Sequence, residues 1–333
     1  MRDFSFILKS PEDISPKQID HWDYLAAHSN TPDPQSCGPA WQLTAFANSR
    51  RRNLPILFLQ NETSQTVFSI QEAGEKWLLE PLEAHWEFGS PMLGPEALQL
   101  FEDAITELFQ NEMKCTITVE IAGLSPDDVL LNSLRSRALS MSPLFDQDPA
   151  VFASLDGGLE GWLSRRSRCF RKALRKAQLC AKEQGITFER LKPENCVEVS
   201  QLYGRMLDVE TRSWKGPLKT GLFSLTRFYR ELLGFYAERG AARVVMAVKD
   251  GIDIGFCFGG ESHGIYRGQQ TSFDERFKSL SIGTQMHAET AAWLSELGAT
   301  IQHFGPLQDV THYKTNLCEV SLESVRADFI LRL

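Results

Sequence analysis

Leu280-Ser-Ile-Gly-Thr-Gln-Met-His287 is the stretch on which the reading of this chain turns. It is a short loop with one glycine, Gly283, opening directly into a helix expected to end at Gly298. At such a junction several backbone N–H groups are left unpaired and point outward, and a glycine lets a phosphate approach them closely. Ordinary strand-to-helix junctions look the same, so the flanking elements decide. Before the loop, residues 242–249, 252–259 and 265–272 read as three strands, and Asp250-Gly251 turns the first back on the second in a hairpin. After it come a strand at 300–304, a short helical turn around 310–314 that holds His312-Tyr-Lys314, and final strands to Leu333.

Upstream of these, residues 185–191 read as a strand, and Pro193 opens a helix expected to reach Asp208. A polar loop, Glu210-Thr-Arg-Ser-Trp-Lys-Gly216, leads to a second helix over 222–239. Its Phe223, Leu225, Phe228, Tyr229, Leu232, Leu233 and Tyr236 recur at helical spacing. The N-terminal half repeats this order more faintly. It offers a helix at 39–48, strands at 54–59, 65–71 and 76–79, a helix at 95–109, a strand at 115–121, a helix at 126–137 and a strand at 138–145. Gly89-Ser-Pro-Met-Leu-Gly94 is the nearest thing to a second glycine loop, so this half reads as a decayed copy. One long helix at 158–184, started by the turn Asp156-Gly-Gly158, is expected to join the halves.

With 333 residues, 42% hydrophobic and 23% charged, the chain has material for two packed domains of ordinary size. A net charge of -8 and a pI near 5.5 exclude a surface that is basic throughout. The 7 cysteines are scattered, with no two-residue spacing of the zinc-clamping kind, and read as reduced thiols of a cytoplasmic protein. The first residues lack the apolar core and small-residue cleavage site of a signal peptide, and no run approaches the roughly 20 apolar residues that span a bilayer. No integral membrane association is expected. The seven histidines lack the tight helical pairing of zinc hydrolases, so no metal is expected. Neither a Gly-x-Ser-x-Gly elbow nor a classical nucleotide loop occurs.

The order of elements resembles that of the GCN5-related N-acetyltransferases (GNAT). More narrowly, the chain resembles the tandem-domain acyltransferases grouped with the FemAB peptidyltransferases and the CelD-type cellulose-biosynthesis acetyltransferases. The resemblance covers about residues 41–314. It rests on Gly38-Pro-Ala-Trp41, the basic run Ser164-Arg-Arg-Ser-Arg-Cys-Phe-Arg-Lys-Ala-Leu-Arg-Lys-Ala177, the 210–216 segment, the Ser281-Ile-Gly283 loop and Tyr313-Lys314. It implies an α/β fold with a mixed sheet in two tandem GNAT-like domains. Residues 1–157 would be a degenerate domain, 158–184 a basic linking helix, and 185–333 the catalytic domain.

The resemblance further implies transfer of an acyl group from acyl-CoA, acetyl-CoA above all, to a primary amine. Lys278, Ser279, Ser281, Gly283 and Thr284 would then hold the donor. Only Gly283 survives of the usual glycine-rich loop, and FemAB-type relatives take an aminoacyl group from tRNA, so that second donor stays open. A catalytically inactive GNAT-like scaffold is the third reading. The acceptor would be a small-molecule amine or a cell-envelope precursor.

Acyl transfer from a thioester to an amine requires a neutral amine, a donor to the developing oxyanion and an acid for the departing thiolate. Backbone N–H groups near Gly268-Gln-Gln270 are candidates for the second. Tyr313 stands where GNAT enzymes place a tyrosine acid; the alternative is a ring that caps the core. Glu210 could take the proton of the incoming ammonium if burial raised its pKa, or it could form a salt bridge with Arg212 or Lys215. Trp214, Lys215, Gln269, Asp309 and Lys314 are candidates for acceptor binding. His287, one turn inside the helix, reads as a partly exposed structural histidine. Cys257 has no histidine paired with it in the sequence pattern, which favours direct attack over a covalent intermediate. Arg165, Arg168, Arg171 and Lys172, in a helix without acids, are candidates for binding a phosphate-bearing partner such as tRNA or the 3′-phosphate of coenzyme A.

Overall fold

Ala150 opens the second of two units and Ser321 closes it; the first is assembled from Met1–Pro149 together with Leu322–Leu333. This is a computed structural model, which describes residues 5–74, 76–83, 86–109 and 116–332, and side chains other than those of 309–312 and 332. In chain order the first unit holds β1 (Ile7–Leu8), α1 (Pro16–Ala27), α2 (Pro34–Cys37), α3 (Pro39–Ala47), β2 (Ile56–Gln60), β3 (Gln65–Ala73), β4 (Lys76–Glu80), β5 (Met92–Leu93), α4 (Ala97–Phe109), β6 (Thr116–Leu124), α5 (Val129–Arg137), β7 (Ser140–Met141) and the start of β8 (Phe145–Ser154). The second holds the rest of β8, then α6 (Gly158–Ser164), α7 (Arg168–Glu183), β9 (Thr187–Leu191), α8 (Cys196–Thr211), α9 (Lys215–Leu218), α10 (Thr226–Glu238), β10 (Ala242–Lys249), β11 (Ile252–Ser262), β12 (Ile265–Phe273), α11 (Ile282–Glu296) and β13 (Ile301–Pro306). Then β14 (Val320–Arg332) returns to the first unit.

The repeat expected from sequence is present as topology. In the first unit β2, β3 and β4 form an antiparallel meander, α4 crosses over, and β6 lies parallel to β4 with Lys76 opposite Thr116. In the second, β10, β11 and β12 form the meander, α11 crosses over, and β13 lies parallel to β12 with Ile265 opposite Ile301. Each crossover strand is then flanked by an antiparallel one. For β6 this is β14, with Phe329 opposite Val119; for β13 it is the end of β8, with Ser154 opposite Ile301.

Periodicity explains most elements. Val325, Ala327, Phe329 and Leu331 alternate along β14 into the first core, beside Leu98, Phe101, Ile105 and Phe109 of α4 at helical spacing. Asp250 and Gly251, both with positive φ, make the two-residue turn between β10 and β11.

Four expectations are corrected. The boundary lies at 149/150 rather than 157, because residues 150–154 pair with β13. The last strand completes the first unit instead of the second. The helix expected at 158–184 is two helices within the second unit, since the Ser167 hydroxyl accepts the Phe170 N–H and starts α7 afresh. The strand expected at 138–145 is replaced by β7 and β8. Of the elements not expected from sequence, α1 is the longest: begun by a Ser15–Gln18 capping box and Pro16, it buries Trp22, Leu25 and Ala26.

Among the described residues, no helix is long and apolar enough to cross a membrane. None of their His, Cys, Asp or Glu side chains cluster in a way that would hold a metal ion.

Candidate functional site

β12 and β13 stay paired only from Ile265/Ile301 to Arg267/His303. Two residues further along β12 a bulge sets in: Gly259 of β11 faces Gly268 and Phe258 faces Gln270, so Gln269 is the extra residue. A bulge bends its strand and leaves that residue out of the ladder. Here it turns the Gln269 amide toward α10, where Nε2 donates to the Tyr236 hydroxyl at 3.0 Å. Glycines permit the close packing: a Cβ on Gly260 would fall 2.3 Å from the Tyr236 ring, and one on Gly259 2.2 Å from the Arg267 carbonyl oxygen.

On the side of β12 covered by α8 and α10, Glu210 is fully buried at the end of α8. Its Oε2 accepts the Leu222 N–H at 2.7 Å, its Oε1 accepts the Ser272 hydroxyl at 3.1 Å, and Lys215 Nζ stands 3.8 Å away. Burial raises the Glu210 carboxyl pKa against the pull of Lys215 and these donors. Lys215 donates to Gln270 Oε1 at 2.7 Å and to the Thr271 carbonyl at 3.0 Å, and burial lowers its pKa. Gln270 Nε2 in turn donates to Tyr229 Oη at 2.7 Å. Of the two partners expected for Glu210, Lys215 is the one found; Arg212 pairs with Asp274 at 2.9 Å. Lys215 and Gln269 are therefore built into the walls beside β12, while Trp214 is 47% exposed.

Toward α11, Cys257 of β11 is buried, and His287 Nδ1 lies 3.8 Å from its Sγ. A histidine does therefore face this thiol, and at 5% exposure it is buried rather than partly exposed. Burial raises the thiol pKa, so this contact does not make a thiolate nucleophile. His287 is held neutral, its pKa pushed down to about 4 by burial and by the charge of Lys314. Tyr313 stacks on His287 with ring centroids 6.3 Å apart. Its side chain is 48% exposed, yet its phenol is pushed up to about 12 by desolvation and by Cys257.

The loop that opens α11 is shaped as a donor cradle requires. Ser281 takes a left-handed conformation with φ 51°, and the helix has no side-chain cap at its start. The first helical bond closes from the Gln285 N–H to the Ser281 carbonyl at 3.1 Å. The N–H groups before it have no intrahelical partner. Ser279 and Ser281 are exposed, Gly283 and Thr284 half-buried. Lys278, 75% exposed, stands 3.8 Å from Glu275. A Cβ on Gly283 would meet only the Phe273 ring at 3.4 Å, ordinary contact, so packing within the protein does not demand a glycine.

Other candidates lie apart from these. Lys314 Nζ donates to the Pro306 carbonyl at 2.6 Å and so ties the end of β13. The Asp309 side chain is outside the described residues. Arg165 bonds Glu319 at 3.1 Å and the carbonyls of Ser154 and Asp156, and Arg166 pairs with the other Glu319 oxygen at 2.5 Å. Arg168, Lys172, Arg175 and Lys176 are exposed along α7, with Arg171 half-buried, and make no ion pair among the described residues.

Residues 164–315 match the family model described as an acetyltransferase (GNAT) domain. This segment is similar to a GNAT domain. The match thus spans α7 to the turn that carries Tyr313, including the bulge and the α11 loop. No curated protein matches the chain significantly. Among solved structures, FemX superposes with a TM-score of 0.65 at 12% identity, over 94% of this chain and 96% of that one. The C-terminal domain of a putative lysylphosphatidylglycerol synthetase from Agrobacterium fabrum gives 0.56 at 13% identity, over 94% and 92%. L-PGS from Bacillus licheniformis gives 0.54 at 11% identity, over 94% and 91%. These likenesses extend to both units. The chain has a mixed α/β fold in two units of like, GNAT-like topology, shared with these structures and expected from its sequence.

Proposed function

We propose that the protein is an N-acyltransferase that moves an acyl group from acyl-CoA to a primary amine by direct attack. The observation that carries this reading is the parting of β12 from β13 beside the Gln269 bulge, inside the GNAT domain. A thioester inserted between the diverging strands would meet backbone N–H groups freed from the ladder near Gln269 and Gln270. Such groups are fixed in place before the reaction and are suited to a developing oxyanion. The donor's pyrophosphate would lie on the unpaired N–H groups that open α11, with Ser279, Ser281 and Thr284 adding hydroxyls and Lys278 a charge. Gly283 supports this placement: glycine inside a helix costs about 1 kcal/mol relative to alanine, and internal packing does not call for it.

Tyr313 is the acid in this reading. With its phenol near 12 it stays protonated at neutral pH and can protonate a departing thiolate. Glu210 serves more naturally as a positioning residue than as the base, because both its oxygens are occupied and it is sealed from solvent. It fixes the 213–223 loop and Lys215 beside the wedge, where Trp214 would wall the acceptor, a small amine or a cell-envelope precursor. Cys257 takes no covalent part.

One observation favours a second reading, an aminoacyl-tRNA donor: the exposed, unpaired basic face of α7. Phosphate contacts there would make binding fall steeply with salt. The experiment is thiol release from a panel of acyl-CoA donors with candidate amines, for wild type, Gly283→Trp and Tyr313→Phe. Release that is lost in Gly283→Trp, and reduced in kcat with KM kept in Tyr313→Phe, supports the assignment. No release from any thioester, together with salt-sensitive tRNA binding removed by Arg168→Glu and Lys172→Glu, supports the second reading instead.

A further inference from the structure

A polar nitrogen is left without a partner where the two strands part. His287 is buried, and its Nε2 bonds to nothing among the described residues. A dry, unpaired nitrogen is costly, and a phenylalanine would fill the same volume without that cost. The ring bridges the wedge. Nδ1 faces Cys257, which sits opposite Thr271 of β12, and the ring meets Phe304 of β13 edge-on at 5.5 Å. Thr271 and Phe304 both lie beyond the last paired residues, Arg267 and His303.

The tautomer follows from the neighbours. The Cys257 thiol, held protonated in the core, has the imidazole Nδ1 at 3.8 Å and Tyr266 Oη at 3.9 Å beside it, with the Thr271 and Thr290 hydroxyls also in reach. A neutral imidazole nitrogen is the better acceptor of an S–H proton. Nδ1 then accepts, Nε2 carries the hydrogen, and the unfilled role is that of a donor.

We propose that Nε2–H of His287 is a specificity contact for the acyl group. It donates to an oxygen carried on the acyl chain beyond the thioester carbonyl, a hydroxyl or a carboxylate. The protein therefore selects oxygen-bearing acyl groups over plain alkyl ones. This rests on the acyl-CoA reading above. The thioester carbonyl itself is served by the bulge, so the contact at His287 answers to the chain. An alkyl chain in the same place would leave Nε2 unpaired, which discriminates by about tenfold or more.

The test measures binding of butyryl-CoA, 3-hydroxybutyryl-CoA and succinyl-CoA to wild type, His287→Phe and His287→Met, with thermal melts of the ligand-free proteins. Wild type should bind one oxygen-bearing donor at least about tenfold more tightly than butyryl-CoA. The donor that gains tells hydroxyl from carboxylate. Both variants should bind all three donors about equally, hold butyryl-CoA as well as wild type does, and melt no lower. Equal loss across the panel would overturn the proposal by assigning the contact to the shared part of the donor. So would a wild type that does not discriminate, or a melt several degrees lower in both variants. Failure of wild type to bind any of the three would overturn the acyl-CoA reading itself.

Discussion

Replacing Lys215 with methionine removes the cation that faces a sealed carboxylate. The two charges are 3.8 Å apart, which at an effective dielectric of 20 corresponds to about 4 kcal/mol. Glu210 would keep the Leu222 N–H and the Ser272 hydroxyl but lose its counter-charge without gaining solvent. Breaking one side of such a pair costs about 3–5 kcal/mol, whereas exchanging both partners for neutral groups is often nearly neutral. Lys215→Met should therefore be strongly destabilising, and adding Glu210→Gln should recover most of the loss. The penalty also has a pH sign. The Glu210 carboxyl is already raised by burial, and loss of Lys215 raises it further. Stability tied to a raised carboxyl is fully present below its unfolded pKa and is lost as pH rises through the folded one. Lys215→Met should thus be worse at pH 8 than at pH 5. Native-state hydrogen exchange of α8, α10 and β11 reads the loss where it arises, within the second unit, and is the suitable assay. A loss below about 1 kcal/mol at pH 8, or a double variant as weak as Lys215→Met, would refute the reasoning.

Two further outcomes are expected. In the first unit the buried Glu83 carboxyl is pushed up to about 8 by desolvation, despite accepting the Trp41 indole N–H and the Gly89 N–H, both at 2.5 Å. Its contribution to stability is complete below about pH 4.5 and is lost as pH rises through 8. Glu83→Gln should flatten that decline but lower the melting temperature at pH 5, where an amide nitrogen cannot accept the second N–H, by more than at pH 8. Gly259→Ala should cost about 3 kcal/mol or more, because its Cβ would fall 2.2 Å from a backbone oxygen, and melting should show it; an unchanged midpoint would mean the bulge yields easily.

The second unit was legible because its strands and helices obey their own periods. Ala242–Lys249 coincides with its expected span, and α11 ends at Glu296, two residues before the expected Gly298. What escaped was set by other forces. Whether β14 belongs with β6 depends on long-range pairing that no local pattern encodes. The break at Ser167 turned on one hydroxyl competing for a backbone N–H within a strongly helical run. Around the site, Gly283 and Tyr313 stood out by position in the order of elements. The Lys215–Gln270 hydrogen bond became visible only in three dimensions, and so did His287 against Cys257, since residues 30 apart meet across strand and helix. The one available signal for Glu210 was its place at the end of a helix before a polar loop.

The last strand inverts the usual order of birth. Residues 150–321 form a contiguous unit and can close as soon as they are made. The first unit, although translated first, lacks Val325, Ala327 and Phe329 of its own core until the whole second unit and then β14 have been made. Domains generally fold from the N-terminus as they emerge. Here the second unit can be native while the first still waits, its β6 edge open, for β14.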